Sequence, residues 1–290
     1  MATKKKTEQK LLKALRSEDV SVRRTAARYR YATPQVLLAA LTDENKHVRG
    51  NAAYNRNATP EVLLVALKHE DWRVRCNAAR NLNATPEVLL IALRSEDEDV
   101  RSNAAYNPNA THEILLTAIK DKNWQVRCNV ASNPNATPEV LLVALEDGDV
   151  RVRCNAAENP NATHEILLLA LKDRYWRVRL HAAAHRNATP EILLAALKEK
   201  NWEVRCNVAR NPNASHEILL AALKDENEWV RMDAARNFKI KSLNLSTDKW
   251  LELVAGGFFE GNLKNVPPHV KKDPRYKSSR LLSQLAKAPS

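Results

Sequence analysis

Apolar and polar positions along this chain repeat with a period of 26 residues, without insertion, over nine copies. A Val-Arg pair marks every copy, and the nine valines are Val22, Val48, Val74, Val100, Val126, Val152, Val178, Val204 and Val230. Self-similarity at a fixed period of roughly 20 to 50 residues is the signature of stacked repeat arrays. The pattern therefore predicts a repeat protein.

Residues 71–96 show most clearly what one unit encodes. Asp71 is a good N-cap, and apolar residues beginning at Val74 follow at helical spacing. Asn81 and Asn83 are expected to end this helix, because asparagine tolerates the left-handed backbone conformation. The first half of the unit therefore predicts one short helix.

A second helix is predicted in the remaining half of the unit. Thr85 is its expected N-cap, Pro86 occupies the first helical position, and Glu87 lies near the positive helix end. Leu89 and Leu93 belong to a wide apolar stripe that must be buried. Because two helices of about ten residues each are marginal alone, each unit is expected to stack on its neighbours.

The ends of the chain depart from the repeat. Residues 1–21 are interpreted as a basic tail and a half-repeat cap, and residues 22–238 as the repeat array. Residues 239–290 are interpreted as a degenerate last helix, beginning at Thr247, and a basic extension with a final helix near 278–287.

The net charge of +12 is concentrated in these ends. Residues 1–21 carry +3 and residues 239–290 carry +6, which leaves 12 − 3 − 6 = +3 for the array. A uniformly basic nucleic-acid groove is therefore not indicated. The sequence shows no secretory signal and no apolar run long enough to span a membrane, so a cytoplasmic protein is expected.

The core V-R-x-N-A-A-x-N-P-N-A-T-P-E-V-L-L-x-A-L, matched closely at Val126–Leu145, resembles the repeat of the leucine-rich repeat variant proteins. It is more distantly similar to HEAT-like repeats, and the resemblance covers about residues 7–238. It implies an all-α fold, a right-handed α-solenoid of nine 26-residue two-helix repeats with helical caps. One type of member carries an N-terminal cysteine cluster for an iron–sulfur centre, but no cysteine precedes Cys76 here. No cofactor is therefore expected.

The cysteines recur two residues after the repeat valine, at Cys76, Cys128, Cys154 and Cys206. Stacked helices are about 10 Å apart, too far for disulfides or for a shared zinc ion. We interpret the thiols as packing groups, and three of them, Cys76, Cys128 and Cys206, follow a tryptophan by four residues and are expected to lie beneath it. The seven Asn-Ala-Thr/Ser triplets are interpreted as helix ends and caps rather than glycosylation sites.

An arginine follows each repeat valine, at Arg23, Arg49, Arg75, Arg101, Arg127, Arg153, Arg179, Arg205 and Arg231. We interpret this series as scaffold, paired with a glutamate such as Glu61, Glu87 or Glu113, or with backbone carbonyls. The alternative is a phosphate-binding rail. A hydrogen-bond ladder is likewise expected of Asn51, Asn77, Asn103, Asn129, Asn155 and Asn207. His112, His164 and His216 occur in alternate units, too far apart for shared metal or acid–base chemistry.

Two positions vary while the rest of the unit is nearly constant: the residue before the repeat valine and the residue six after it. They are seven apart and so share one helix face. The predicted binding residues there are His47, Tyr54, Arg73, Arg80, Tyr106, Gln125, Arg151, Glu158, Arg177, Glu203, Arg210 and Trp229.

These observations favour a non-catalytic repeat scaffold that binds a protein or peptide through this variable face. One alternative is a nucleic-acid-binding repeat protein that reads or tracks a strand, helped by the basic tails. Another is a HEAT-like DNA-repair glycosylase. The sequence shows no nucleophile–base pair, phosphate loop or metal-ligand spacing, so no enzyme, metal site or membrane association is expected.

Overall fold

The structure, a computed structural model, describes residues 2–237, 245–257 and 265–285. These residues form helices joined by short loops, and no strand occurs among them. The chain divides into two compact units, an N-terminal unit, Met1–Asn161, and a C-terminal unit, Ala162–Ser290. The predicted all-α solenoid fold is confirmed, and the first eight repeats contribute two helices each.

The first helix of each repeat, called here the A helix, contains the Val-Arg pair. The A helices are α2 (Val20–Arg28), α4 (Lys46–Tyr54), α6 (Trp72–Arg80), α8 (Glu98–Tyr106), α10 (Trp124–Ser132), α12 (Val150–Glu158), α14 (Trp176–Ala184), α16 (Trp202–Arg210) and α18 (Glu228–Arg236). The second helix, called the B helix, is shorter. The B helices are α3 (Pro34–Leu41), α5 (Pro60–Leu67), α7 (Pro86–Ala92), α9 (His112–Ala118), α11 (Pro138–Leu145), α13 (His164–Ala170), α15 (Pro190–Ala196) and α17 (His216–Ala222).

Capping residues set where these helices begin, as the third repeat shows. The Asp71 carboxylate accepts a hydrogen bond from the Arg73 backbone N–H at 3.0 Å and starts α6. The Thr85 hydroxyl accepts from the Val88 N–H at 3.4 Å and starts α7, with Pro86 at its first position. Each cap satisfies a backbone donor that has no partner inside its helix.

The core is a layer of small and branched side chains between successive helices. Val74, Ala78 and Ala79 of α6 and Val88 and Leu89 of α7 have no exposed surface. The alanines allow close approach, and each A helix packs on neighbouring A helices: α2 to α12 in the N-terminal unit, α14 to α18 in the C-terminal unit. Within each unit, successive repeats therefore complete one another's core, as expected for repeats that cannot fold alone.

The prediction that Asn81 and Asn83 end α6 through a left-handed residue is wrong. Asn81, the C-cap, is extended with φ −62° and ψ 135°, and no residue other than glycine has positive φ in the described part of the chain. The chain can leave the helix in this way because the Asn81 side chain is bonded to the preceding repeat.

Asn81 Nδ2 donates to the carbonyls of Ala53 at 2.9 Å and Asn55 at 3.0 Å, and its Oδ1 accepts from the Asn83 N–H. Asn83 Nδ2 in turn donates to the carbonyls of Arg56 and Ala58. We call the residues equivalent to Asn81 the buried asparagine ladder; its members are Asn55, Asn81, Asn107, Asn133 and Asn159 in the N-terminal unit and Asn211 and Asn237 in the C-terminal unit. Each of these asparagines ties its repeat to the one before it.

The ends add helices that are not part of a complete repeat. α1 (Ala2–Ala14) packs on α2 and α3, as the half-repeat cap predicts. The C-terminal unit ends in α19 (Thr247–Ala255), α20 (Pro268–Lys272) and α21 (Tyr276–Leu285). The predicted end of the last helix, residues 286–287, lies outside the described residues. The division into 1–21, 22–238 and 239–290 stays a prediction.

Candidate binding face of the A helices

The variable positions all lie at the two ends of A helices. Eleven of the twelve predicted binding residues are exposed, and Glu203 is half-buried. The largest side chains are well exposed for their size, at 56% for Tyr54, 61% for Tyr106 and 50% for Trp229. They are large apolar groups outside the core, each near one end of an A helix.

Within the N-terminal unit, several of the arginines lie against aromatic rings. The guanidinium carbon of Arg73 is 4.7 Å from the centre of the Trp72 ring, and that of Arg80 is 6.0 Å from the Tyr54 ring of the previous repeat. Arg151 lies 3.2 Å from the centre of the Trp124 ring. Such cation–π contacts restrict a flexible side chain and leave the edge of the guanidinium able to bind other groups.

The C-terminal unit repeats the arrangement. The guanidinium carbon of Arg177 is 5.3 Å from the Trp176 ring centre and 5.9 Å from the Tyr175 ring centre. These stacks were not predicted from the sequence. The available signal was an aromatic residue directly before a variable arginine, as in Trp72-Arg73 and Trp176-Arg177.

Two of the predicted binding residues are already paired with carboxylates. Arg151 donates to both oxygens of Asp149, at 2.9 and 2.6 Å, and this hydrogen bonding lowers the pKa of Asp149 to about 2. Arg210 lies 2.8 Å from the buried carboxylate of Asp233. The variable face therefore includes both free and internally neutralised cations.

The arginine series next to the repeat valine is structural, and Arg101 shows how. Its Nη1 donates to the carbonyls of Ser95 and Glu96, in the loop before its own A helix. Its Nε and Nη2 donate to Asp121, in the loop before the next A helix, and this raises the pKa of the Arg101 guanidinium. The side chain is 6% exposed, so it is poorly placed to act as a phosphate rail.

The predicted carboxylate partners of this series are wrong, although the backbone carbonyls are right. The acids come from the loop after the B helix instead of its first turn, because the side chain spans two loops. The pairs are Arg23–Asp43, Arg101–Asp121, Arg127–Asp147, Arg179–Glu199 and Arg205–Asp225. Where that loop position holds His69 or Ser95, the N-cap acids Asp71 and Asp97 pair with Arg49 and Arg75.

The asparagines three after the repeat valine form only part of the predicted ladder. Asn77 and Asn155 donate to the preceding repeat, at the carbonyls of Gly50 and Cys128, and Asn129 donates to the carbonyl and hydroxyl of Ser102. Two others bond within their own helix: Asn103 to the Asp99 carbonyl and Asn207 to the Glu203 carbonyl. The regular ladder is the buried one, four residues further along, which the sequence interpretation treated only as helix ends.

The cysteines are free thiols, and no disulfide joins them. Burial raises the pKa of Cys76 and Cys206 to about 12 and that of Cys128 to about 11. Thiols with such pKa values are protonated at neutral pH and are poor nucleophiles and metal ligands. Their proposed packing beneath tryptophan stays a prediction.

Two of the histidines that replace the B-helix proline contact the next repeat. His112 lies 2.9 Å from the Thr137 hydroxyl and 3.3 Å from the Glu139 carboxylate, and His164 has the same relation to Thr189 and Glu191. In the described part of the chain, no group of three or more His, Cys, Asp or Glu is arranged to hold a metal ion. Nor is any helix there both long and apolar enough to cross a membrane.

Comparisons with known proteins identify the class of fold. No family model and no curated protein sequence matches the chain. The structure of a leucine-rich repeat variant with a novel repetitive structural motif aligns with a TM-score of 0.58 at 24% identity, over 76% of this chain and 87% of that one. This similarity confirms the predicted leucine-rich repeat variant type of α-solenoid at the level of the fold.

A second structure, of Kap95p binding to RanGDP, aligns with a TM-score of 0.50 at 12% identity. It covers 97% of this chain, which spans 52% of the matched chain. At this identity the likeness again concerns only the fold, so the chemistry of this chain has to be argued from its own side chains.

Proposed function

We propose that this protein is a non-catalytic scaffold that binds a protein or peptide through the variable face of its A helices. The observation that supports the proposal is the contrast between a repeated, internally bonded scaffold and exposed side chains that differ from repeat to repeat. Arg, Tyr and Trp, which dominate that face, are the residue types enriched at the energetic centres of protein interfaces. Kap95p, whose structure aligns with this chain, binds the protein RanGDP.

The chemistry of the repeat favours binding over catalysis. The most nucleophilic side chains are the cysteines, and burial keeps the thiols of Cys76, Cys128 and Cys206 protonated. The arginines that follow the repeat valines are bonded to carboxylates and carbonyls of the scaffold, as at Arg101 and Arg205. Free thiols also fit the reducing cytoplasm that we expect for the protein.

The experiment is an affinity pull-down from lysate with the full chain, with and without nuclease. A Tyr54→Ala, Tyr106→Ala double variant should lose a nuclease-resistant protein partner, because it removes two exposed aromatic anchors. The matched control is Val65→Ala, Leu82→Ala, which truncates two exposed apolar side chains that do not occupy variable positions and should retain that partner.

Nucleic-acid binding is the second candidate, favoured by exposed tyrosines near arginines and by the basic tails. It predicts a bound component that disappears on nuclease treatment. If the face reads the strand, the same tyrosine variants should lose roughly 1–3 kcal/mol per ring in affinity for single strands. If only the tails bind, affinity should fall steeply with salt and vanish when residues 1–6 and 239–290 are deleted.

A further inference from the structure

The charges of the first three A helices are all of one sign. α2, α4 and α6 contain no Asp or Glu, whereas α8 contains Glu98 and Asp99. Four exposed arginines on these helices, together with Arg30 just after α2, have no carboxylate bonded to them in the part of the chain that the structure describes. We call them the arginine platform: Arg24, Arg28, Arg30, Arg73 and Arg80.

Two of the carboxylates near these helices are engaged by the scaffold. Asp19 accepts from the Ser21 N–H as the N-cap of α2, and Asp71 caps α6 and pairs with Arg49. The platform is therefore a local excess of positive charge in an array that is nearly neutral. The face changes further along, since the exposed Arg151 of α12 is neutralised by Asp149.

The platform has a shaped end on the first A helix. Ser21, Arg24, Thr25, Arg28, Tyr29 and Arg30 line an open depression of about 500 Å³. Three guanidinium groups surround it, and the Thr25 hydroxyl there donates to the Ser21 carbonyl. The lining thus offers several donors and no carboxylate, which suits a ligand that carries more than one negative charge.

Aromatic rings hold three of the five guanidinium groups. Arg30 lies 4.6 Å from the Tyr31 ring centre, in addition to the Arg73–Trp72 and Arg80–Tyr54 contacts. Tyr31 also meets Tyr29 edge to face, with ring centres 5.8 Å apart. A guanidinium therefore lies over the rings of Tyr31, Trp72 and Tyr54, which weakens these three rings as platforms for nucleic-acid bases. The guanidinium edges stay free for bidentate bonds to carboxylates.

We propose that the arginine platform binds an Asp/Glu-rich segment of a partner protein, with carboxylates on the guanidinium forks. The inference rests on the proposed function, since it specifies the chemistry of the partner at the N-terminal end of the variable face. Packed helices are about 10 Å apart and an extended peptide rises about 3.3 Å per residue. One repeat therefore matches about three residues of an extended acidic peptide.

The test uses the full chain and a fluorescein-labelled peptide of about ten residues with Glu at about every third position. Fluorescence anisotropy should show binding of this peptide and not of the same peptide with Gln in place of Glu. The triple variant Arg24→Gln, Arg28→Gln, Arg30→Gln should weaken binding about 10- to 30-fold, as expected for three exposed ion pairs.

A charge-matched control separates a site from general attraction. Lys68→Gln, Arg94→Gln, Lys120→Gln removes three exposed cations from the ends of B helices in the same unit. It should weaken peptide binding by no more than about threefold, since these cations are not part of the platform and solvent screens exposed charges. Equal losses in the two triple variants would overturn the proposal, and circular dichroism establishes that both stay folded.

The same assay tests whether the platform binds nucleic acid instead. A thymidine oligonucleotide of equal charge that binds more tightly than the Glu peptide, and that loses binding in Tyr31→Leu, would replace the acidic peptide as the ligand. If the Glu peptide does not bind at all, the acidic-segment inference is wrong. The scaffold proposal would then still be judged separately, by whether the face variants lose their partner in the pull-down.

Discussion

Asn133 is the most deeply buried member of the asparagine ladder, so its replacement should cost more stability than that of an exposed repeat residue. It has no exposed surface, and its Nδ2 donates to the carbonyls of Ala105 at 2.8 Å and Asn107 at 3.2 Å. Its Oδ1 accepts from the Asn135 N–H at 2.8 Å. Asn133→Ala removes all three hydrogen bonds, each worth a net of about 1 kcal/mol, so a loss of about 3 kcal/mol is expected.

Asn133→Asp gives a sharper form of this prediction. The aspartate keeps the acceptor for Asn135 but replaces the donor by a buried carboxylate oxygen facing two carbonyls. The loss of stability in Asn133→Asp should therefore equal or exceed that in Asn133→Ala, although aspartate has almost the same shape as asparagine.

Urea unfolding followed by circular dichroism and by tryptophan fluorescence measures both variants. Coincident transitions from the two probes are needed before a free energy is extracted, because repeat arrays can unfold in parts. Gln125→Ala, at an exposed variable position, is the control and should stay within about 0.5 kcal/mol of the parent. An alanine loss below about 1 kcal/mol, or an aspartate variant as stable as the parent, would refute the structural role of the ladder.

Three further outcomes follow from the same geometry. Arg101→Ala leaves the mostly buried Asp121 carboxylate without its guanidinium partner, so denaturant unfolding should show a loss of about 3 kcal/mol or more in the free energy of unfolding. A loss as small as that of a surface substitution would contradict this. Because the Arg151 hydrogen bonds lower the pKa of folded Asp149 to about 2, their stabilisation should be complete above pH of about 4 and vanish as pH falls through about 2. The difference in stability between the parent and Asp149→Asn should shrink over that range, and a constant difference would contradict the pairing. Cys128, with a pKa of about 11, should react slowly with an aromatic disulfide reagent at neutral pH until denaturant is added, and fast labelling of the folded chain would show an accessible thiol instead.

The fold was predictable because it depends on local signals repeated in every unit. The Asp71 and Thr85 caps, Pro86 and the apolar stripes act within one helix, and the structure contains them as predicted. Side-chain partners in neighbouring units were less predictable. Asn81 was assigned the wrong conformation because the compensating hydrogen bonds go to Ala53 and Asn55, in another unit.

The candidate face was predictable in position but not in its interactions. Spacing alone placed Arg80 and Tyr54 on the same side of adjacent A helices, and both are exposed there. It did not show that the guanidinium lies over the ring, or that Arg151 binds Asp149, because rotamers depend on neighbours that spacing does not describe. Which ligand these residues contact stays a prediction.

The buried asparagine ladder also bears on how the length of such an array can change. Asn133 and Asn107 occupy equivalent positions, one bonded to Ala105 and Asn107 and the other to Ala79 and Asn81. If residues 107–132 were deleted, Asn133 would follow Tyr106 and meet the same two carbonyls that Asn107 now meets. A loss or gain of whole periods between ladder asparagines therefore keeps their hydrogen bonds, whereas a change of length that is not a multiple of 26 residues breaks them. Gene duplication and deletion in whole periods would thus be tolerated by the scaffold while altering how many variable side chains the array presents.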